Sequence, residues 1–290
     1  MTDDRGLRIN PFIRRLVCSS TGKPVNHDDF RRPIGLCACC PPPGKPVIVE
    51  YDLDRARLGA PRRSLGMWSF ADLLPVTGVE PSFAADVGLT PTVELEVWSR
   101  ELGITVLAKN EGTNPSGSFK DRGLAAGIAL GRACGAERFC LPTQGNAGVA
   151  ASLFSARLGL PGCLVFMPEG YEDGLSHREA SYFGAEVRFH GANIAAAGKK
   201  MREDVASELA SGAYVDMSTF FEPGRLEGKK TMGIEIYHDL GADNLPDWIL
   251  YPTGGGTGLV GIWKAFSELT GLGLLDPGRH RLPRMVAVQG

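Results

Sequence analysis

The sequence has no apolar run long enough to span a membrane, and its polar, acidic start lacks the apolar segment of a secretory signal. It also has no excess of charge of either sign, since the formal net charge is −2 and acidic and basic residues are interleaved. These absences argue against a nucleic acid or a membrane surface as a partner. We therefore expect a cytoplasmic protein whose ligands are small molecules.

Cysteine is scarce outside one segment of the chain. Seven cysteines, an odd number in 290 residues, indicate reduced thiols rather than a disulfide framework. Four of them lie in the first sixty residues, which also contain three consecutive prolines and one convincing strand at 47–51. We expect residues 1–60 to form a small, loop-rich appendage that precedes the main body of the chain at 61–290.

From about residue 71 the sequence alternates between short apolar runs and amphipathic segments. The apolar runs predict buried strands, and apolar residues at helical spacing predict the helices between them. Strands separated by helices require crossover connections, so we expect an α/β protein with mostly parallel sheets. The last segment, 284–290, is predicted to be a further buried strand. The other predicted strands are 105–109, 138–141, 163–167, 186–189, 214–217 and 248–251, and the predicted helices are 119–134, 146–158, 176–183, 193–209, 227–240 and one from 254–258 to about 269.

A loop rich in glycine and proline, residues 112–120, follows the first of these strands, at the edge where open α/β sheets bind ligands. Lys120 lies in the first turn of the next predicted helix, where the helix dipole favours anions over cations. This position favours the neutral amine, which is the form that attacks an aldehyde. The alternative is a solvated surface lysine, and the loop alone does not decide between the two interpretations.

A second loop, residues 143–147, carries small and amide side chains at the start of a predicted helix. Its exposed N–H groups would hold a substrate carboxylate or a ring oxygen of a cofactor. The alternative is that Asn146 only caps its helix, as asparagine often does.

A third loop, Thr-Gly-Gly-Gly-Thr-Gly at 253–258, lies between a predicted strand and a helix. Consecutive glycines allow the backbone to approach a bound group closely. The loop lacks both the ending of a Walker loop and the spacing of the dinucleotide fingerprint, so we predict a monophosphate site that includes the Thr257 hydroxyl. A phosphate site, a lysine amine and an amide-bearing anion site together describe pyridoxal phosphate with an amino-acid substrate.

The decapeptide Asn-Pro-Ser-Gly-Ser-Phe-Lys-Asp-Arg-Gly at 114–123, preceded by Lys109 and Glu111, resembles the cofactor-lysine motif of the threonine synthase family. This family is part of the fold-type II pyridoxal-phosphate enzymes, with tryptophan synthase β chain and the serine/threonine dehydratases. The segments 88–92, 143–147, 223–231 and 254–258 are also similar to elements of this group.

The resemblance implies an α/β fold of two three-layer αβα domains with mostly parallel sheets, preceded by a ribbon-like segment at 1–60. The smaller domain would span roughly 118–215. The larger domain would combine 61–117 with 216–290, and it would lack its C-terminal part.

The resemblance also implies roles for individual residues. Lys120 would hold the cofactor as a Schiff base and then move protons on the substrate carbons, and Asn146 would bind the ring hydroxyl oxygen of the cofactor. Arg225 would lie near a substrate phosphate, and the alternative is an ion pair with Glu222 or Glu227. The substrate carboxylate would be held by Thr143, Gln144, Gly145, Asn146 and Ala147, and the cofactor phosphate by Gly254, Gly255, Gly256, Thr257 and Gly258.

The implied activity is that of a lyase of threonine biosynthesis, which converts O-phosphohomoserine to threonine and phosphate, and the implied assembly is a homodimer. Asp121 after the lysine favours this activity over a serine/threonine ammonia-lyase or another β-elimination or replacement enzyme. In the dehydratases an apolar or basic residue is more usual at this position. An alternative of another class is a catalytically inactive relative that binds a metabolite, which two departures from the family pattern suggest.

The first departure lies in the cysteine-containing segment. Some members of the family carry two Cys-x-x-Cys pairs there, which suit tetrahedral zinc. Here the second pair is complete but threonine replaces one cysteine of the first, and we expect no metal. The alternative is zinc bound by Cys18, Cys37 and Cys40, with Cys39 or His27 in place of Thr21.

The second departure lies at the end of the chain. Members of the family continue beyond the strand at 285–289 into a part that supplies a hydroxyl residue facing the pyridine nitrogen. We therefore expect either a fragment of a longer protein or a protein that is inactive as it stands.

Overall fold

The computed structural model describes residues 6–26 and 30–289. Arg8–Ile9 (β1) is a short strand, and Ile13–Cys18 (β2) pairs antiparallel with Val47–Tyr51 (β3). Every second residue of β3 is buried, because the side chains of a strand alternate between its two faces. The strand predicted at 47–51 is confirmed. His27, the alternative zinc ligand, lies outside the described residues.

The next part of the chain contains short elements. Val76–Thr77 (β4) pairs antiparallel with β1, and Pro81–Ala84 (α1) follows it. Thr92–Glu94 (β5) pairs antiparallel with Leu107–Lys109 (β6), with the helix Glu96–Leu102 (α2) between them. Short 3₁₀ helices occupy Arg63–Leu65, Met67–Leu73, Glu111–Thr113 and, later in the chain, Ala242–Asn244.

The middle of the chain forms a parallel sheet of four strands, Arg138–Pro142 (β7), Leu164–Met167 (β8), Glu186–Phe189 (β9) and Tyr214–Asp216 (β10). Their order in the sheet is β10-β7-β8-β9. Each neighbouring pair runs parallel, which confirms the predicted parallel arrangement. Every residue of β8 is buried, as expected for an inner strand covered on both faces. The helices of this part are Lys120–Ala133 (α3), Asn146–Arg157 (α4), Leu175–Tyr182 (α5), Ile194–Asp204 (α6) and Ala206–Ser211 (α7).

Two helix predictions need correction. The helix predicted at 193–209 is divided into α6 and α7, because Val205 between them has φ −117° and ψ 30°, outside the helical range. The helix predicted to start at residue 227 is Gly224–Leu240 (α8) and begins directly after Pro223. A proline is tolerated there, since the first residues of a helix have no intrahelical partner for their N–H groups.

The last part contains two parallel strands, Trp248–Pro252 (β11) and Arg284–Val288 (β12), connected through the helix Thr257–Gly271 (α9). The prediction that the last strand is buried is wrong. In β12, Met285 is partly buried against the apolar cluster under α8 and α9, whereas Val288 is exposed. The described residues cover one face of this strand pair and leave Trp248 and Leu250 exposed on the other.

Helix α8 packs against α3 on one side and α9 on the other. A Cβ atom on Gly228 would collide with the main chain of Arg122 in α3. One on Gly261 in α9 would come within 2.9 Å of the main-chain nitrogen of Lys230 in α8. Glycine at both positions therefore lets the three helices approach backbone to backbone. None of the described helices combines the length and the apolar character needed to cross a membrane.

Candidate active site

Lys120 is the first residue of α3 and directly follows the loop that resembles the cofactor-lysine motif. It is half-buried, and its Nζ atom lies 3.7 Å from the centre of the Phe119 ring. Among the described residues, no carboxylate lies within ion-pair distance of this amine. Burial, and then the charge of Arg225, lower the pKa of Lys120 to about 8. Roughly a tenth of the amine is therefore neutral and nucleophilic at pH 7, far more than for a lysine with the usual pKa.

The triple-glycine loop joins β11 to α9. Gly256 caps α9 in the left-handed conformation, with φ 84°, and a Cβ on Gly255 would collide with the Thr219 side chain. A Cβ on Gly258 would collide with the Tyr251 hydroxyl. These three glycines are required by the fold itself.

Gly254 differs from its neighbours. No protein atom lies within 4 Å of the place where its Cβ would be, so the described protein gives no steric reason for glycine there. The space beside the loop is open at this position.

Lys229 of α8 is a residue that the sequence reasoning missed. It is 2% exposed, and its Nζ donates a hydrogen bond of 2.6 Å to the Thr257 hydroxyl at the start of α9. The same atom lies 4.9 Å from the centre of the Phe119 ring, beside which Lys120 lies. Burial, and then the charges of Arg225 and Lys120, lower the pKa of Lys229 well below its usual range. The sequence did contain a signal for this residue. Lys229 follows Arg225 by four residues, a spacing that places both side chains on one face of a helix.

Arg225 is 4% exposed and lies at the start of α8. One of its Nη atoms donates to the carbonyl of Met217, and its Nε has no hydrogen-bond partner among the described residues. It forms no ion pair within 4.0 Å with Glu222 or Glu227. Glu222 instead accepts hydrogen bonds from two main-chain N–H groups of α8. Glu227 forms buried ion pairs with Lys230 and Lys264. The proposed ion pair of Arg225 is therefore not formed.

Lys120, Arg225 and Lys229 bring three basic side chains together in this region, and each lowers the pKa of a neighbour when it is charged. The charge of Glu222 raises the pKa of both Arg225 and Lys229 and so partly offsets the effect of their burial. Burial raises the pKa of Glu222 itself to about 7. Cationic groups withdrawn from water without matched carboxylates are costly unless an anion binds beside them. The region next to the N-terminus of α9 therefore suits a phosphate group.

The loop at 143–147 follows β7, and the main-chain N–H of Met217 after β10 donates 2.8 Å to the Cys140 carbonyl in β7. The loop therefore lies at the same sheet edge as the segment that leads to Arg225. Gly145 occupies the N-cap position of α4, and Asn146, which follows it, is exposed and makes no capping hydrogen bond. The capping alternative for Asn146 is therefore not supported. No hydrogen bond joins it to Lys120 within residues 6–26 and 30–289.

A buried ion cluster supports the start of α3. Arg122 is fully buried and binds Glu111 at 2.7 Å and Glu235 of α8 at 2.6 Å. Lys109 binds Glu235 at 3.1 Å. Lys109 and Glu111, the residues that precede the lysine motif, therefore fix α3 against α8 and so hold Lys120 and Lys229 in one place.

Residues 84–290 match the family model described as "Pyridoxal-phosphate dependent enzyme". The chain belongs to this family. Its membership confirms the cofactor and the fold class predicted from the sequence.

The resemblance to threonine synthases is also confirmed. The chain is 33% identical over 278 residues to a threonine synthase of Methanocaldococcus jannaschii, covering 94% of this chain and 64% of that protein. It is 33% identical over 199 residues to a threonine synthase of a Bacillus species, covering 69% of this chain and 54% of that protein. The chain thus spans between about half and two thirds of the length of these relatives.

Solved structures show the same fold. A processed threonine deaminase isoform from Solanum lycopersicum matches with a TM-score of 0.57 and 21% identity, over 70% of this chain and 55% of that chain. This agreement in backbone shape extends to an enzyme that is named for a different reaction, so it supports the fold and not a particular reaction.

Proposed function

We propose that this chain carries the cofactor site of a threonine synthase-type lyase, which converts O-phosphohomoserine and water to threonine and phosphate. The observation that carries the proposal is the group of basic side chains, the half-buried Lys120 and the buried Arg225 and Lys229, beside the triple-glycine loop. The similarity to threonine synthases supports the reaction class.

The residues present fit pyridoxal phosphate. The N–H groups of the glycine loop and the start of α9 would hold its phosphate, with Lys229 and Thr257 beside it. The open space at Gly254 leaves room for the close approach of such a group. Asn146, exposed and free of a capping role, would bind the ring hydroxyl oxygen. When bound, the cofactor supplies an electron sink for carbanion chemistry.

The protein's own groups would carry the proton transfers and the binding. The Lys120 amine, with a pKa of about 8, would take a proton from one substrate carbon and return it to another, because a pKa near the working pH suits both directions. The loop at 143–147 would hold the substrate carboxylate through its main-chain N–H groups. Arg225, which retains an unpartnered Nε, would bind the phosphate that leaves the substrate.

A serine/threonine ammonia-lyase is the second candidate, because the fold that the chain shares with the Solanum lycopersicum threonine deaminase is compatible with that reaction as well. Its substrates carry no phosphate, so it gives no account of the buried Arg225, whereas Lys229 would lie beside the cofactor phosphate in either enzyme. A catalytically inactive relative that binds a metabolite is the third candidate.

One experiment separates these candidates. The purified 290-residue protein is incubated with pyridoxal phosphate and O-phosphohomoserine, and phosphate and threonine are measured. Ammonia and a 2-oxo acid formed from serine or threonine would instead support the ammonia-lyase. Borohydride reduction followed by peptide mass mapping then tests whether the cofactor is attached to Lys120. Cofactor attached there without turnover of either substrate would support the inactive relative, and no attachment would contradict the proposed site.

We further propose a cytoplasmic location and a homodimeric assembly for the active protein. Light scattering of the purified chain, in the presence and absence of pyridoxal phosphate, tests the assembly. A mass equal to one chain under both conditions would contradict the dimer.

A further inference from the structure

Four cysteines of the N-terminal segment converge in space. Cys18 ends β2, and Cys37, Cys39 and Cys40 lie in the loop that leads to β3. All four sulfur atoms lie within 4.8 Å of one another. The Sγ atom of Cys18 is 3.4 Å from that of Cys37 and 3.6 Å from that of Cys40.

These distances suit one tetrahedral metal ion. Sulfur atoms bound to zinc at about 2.3 Å are separated from one another by roughly 3.8 Å, the edge of the tetrahedron. All four cysteines are free thiols in the structure. The other three cysteines, Cys134, Cys140 and Cys163, are also free, but they do not belong to this cluster.

The backbone holds the four sulfur atoms together without any metal. The N–H of Cys37 donates 2.8 Å to the Lys45 carbonyl, and Gly44 turns the chain between them with φ 94°. On the other strand, the N–H of Cys18 donates 2.9 Å to the Lys23 carbonyl. Each cysteine-bearing loop is thus closed by its own main-chain bond, so the ligands are arranged in advance.

Cys39 takes the place of the missing fourth cysteine. Thr21 stands where the second residue of a Cys-x-x-Cys pair beginning at Cys18 would stand, and its hydroxyl lies 3.8 Å from the Cys39 sulfur. The sulfur from the other loop therefore occupies the space next to the substituted position. We propose that Cys18, Cys37, Cys39 and Cys40 form a zinc site with four thiolate ligands. One ligand lies at the end of β2 and three lie in the loop before β3.

Such a site is closed, since four protein ligands leave no position for a substrate, and its role is structural. It would hold β2 and β3 together at the end where they carry the cysteines. At the other end of β3, the Tyr51 hydroxyl donates 3.1 Å to Glu227 of α8, the helix that carries Arg225 and Lys229. Zinc would therefore stabilise the contact between the N-terminal segment and the helix beside the candidate active site.

The test is metal analysis of the 290-residue protein, purified with a reductant and without chelators. We expect about one zinc ion per chain, and less than about half of that in Cys39→Ala after the same dialysis. Cys134→Ala, which changes a buried cysteine outside the cluster, is the matched control and keeps its zinc. Wild-type protein that takes up no zinc on titration, or that holds iron instead, would overturn the proposal. So would Cys39→Ala with the wild-type zinc content.

A second variant separates ligand loss from misfolding. Cys39 is exposed, so Cys39→His changes no packed side chain and offers a nitrogen ligand to the same ion. We expect Cys39→His to retain zinc, and its cobalt-substituted form to show visible bands shifted from those of the four-thiolate wild type. Unchanged bands would show that residue 39 is not a ligand. A disulfide within the cluster of the reduced wild-type protein, found by mass spectrometry, would also overturn the proposal.

Discussion

The side-chain nitrogen of Lys229 lies 2.6 Å from the hydroxyl oxygen of Thr257, and this hydrogen bond joins α8 to the first residue of α9. Thr257 belongs to the loop predicted to bind phosphate, whereas Lys229 carried no prediction. Lys229 is buried and has no carboxylate partner among the described residues, so a bound anion would favour its charged form at the N-terminus of a helix that itself favours anions. Together with the glycine loop, the two residues would therefore hold an anion more strongly than the loop alone.

Lys229→Met is expected to weaken pyridoxal phosphate binding by roughly 10- to 100-fold, the effect of losing one charge-assisted hydrogen bond of about 1.5–3 kcal/mol. Methionine keeps the length and apolar contacts of the side chain, so folding is expected to persist. Equilibrium dialysis of the cofactor measures the change. Lys199→Met, at an exposed position of α6, is the control. Equal cofactor affinity in Lys229→Met and Lys199→Met would remove Lys229 from the site.

The rate at which the cofactor attaches to Lys120 is expected to depend on pH. The pKa of Lys120 is lowered to about 8, so the reactive neutral amine falls about tenfold for each pH unit below that value. The attachment rate, followed by absorbance, should therefore rise with pH and level off above about 8.

Arg225→Met tests the cause of that pKa. Its charge lowers the pKa of Lys120, so its removal should move the inflection of the rate profile to higher pH. Arg100→Met on α2, an exposed residue, should leave the profile unchanged. An inflection in Arg225→Met at or below the wild-type pH would contradict the electrostatic coupling.

Some of this site could be predicted because it follows from local sequence. Consecutive glycines between a strand and a helix, and a lysine just after a glycine- and proline-rich loop, reflect backbone geometry that nearby residues set. The parallel sheet of β7 to β10 could be predicted in the same way, because short apolar runs alternate with amphipathic helical segments in the sequence. The roles of the 143–147 loop and the division into domains stay predictions, since no described contact tests them.

Other features depend on which elements pack together, and local patterns do not contain that information. Lys229 belongs to a Lys-Lys pair that would suit a solvated surface, and only the packing of α8 between α3 and α9 buries it. Cys39 lies outside any Cys-x-x-Cys spacing, so the sequence left it and His27 as alternatives for the fourth ligand, and only the pairing of β2 with β3 brings Cys39 beside Cys18. The exposure of β12 depends in the same way on what covers the sheet.

The ion cluster around Arg122 predicts a large effect on stability. Arg122→Met removes the cation from a fully buried position and leaves Glu235 and Glu111 without it, which typically costs about 3–5 kcal/mol. Urea unfolding measures the loss. Arg281→Met breaks an exposed ion pair with Asp247 and should cost less than about 1 kcal/mol. Similar losses in the two variants would show that burial of the Arg122 cluster has no special weight.

Two glycines of the loop predicted to bind phosphate, Gly254 and Gly258, are expected to respond differently to substitution by alanine. Gly258→Ala introduces a Cβ that collides with the Tyr251 hydroxyl, so it should lower the free energy of unfolding in the absence of cofactor. Gly254→Ala meets no protein atom within 4 Å, so it should leave the unfolding of the cofactor-free protein nearly unchanged. If the phosphate approaches the backbone at Gly254, the added methyl group should nevertheless weaken cofactor binding. Urea unfolding without cofactor and equilibrium dialysis with it separate the two effects. A Gly254→Ala protein with wild-type cofactor affinity would show that the phosphate does not approach the loop at this residue.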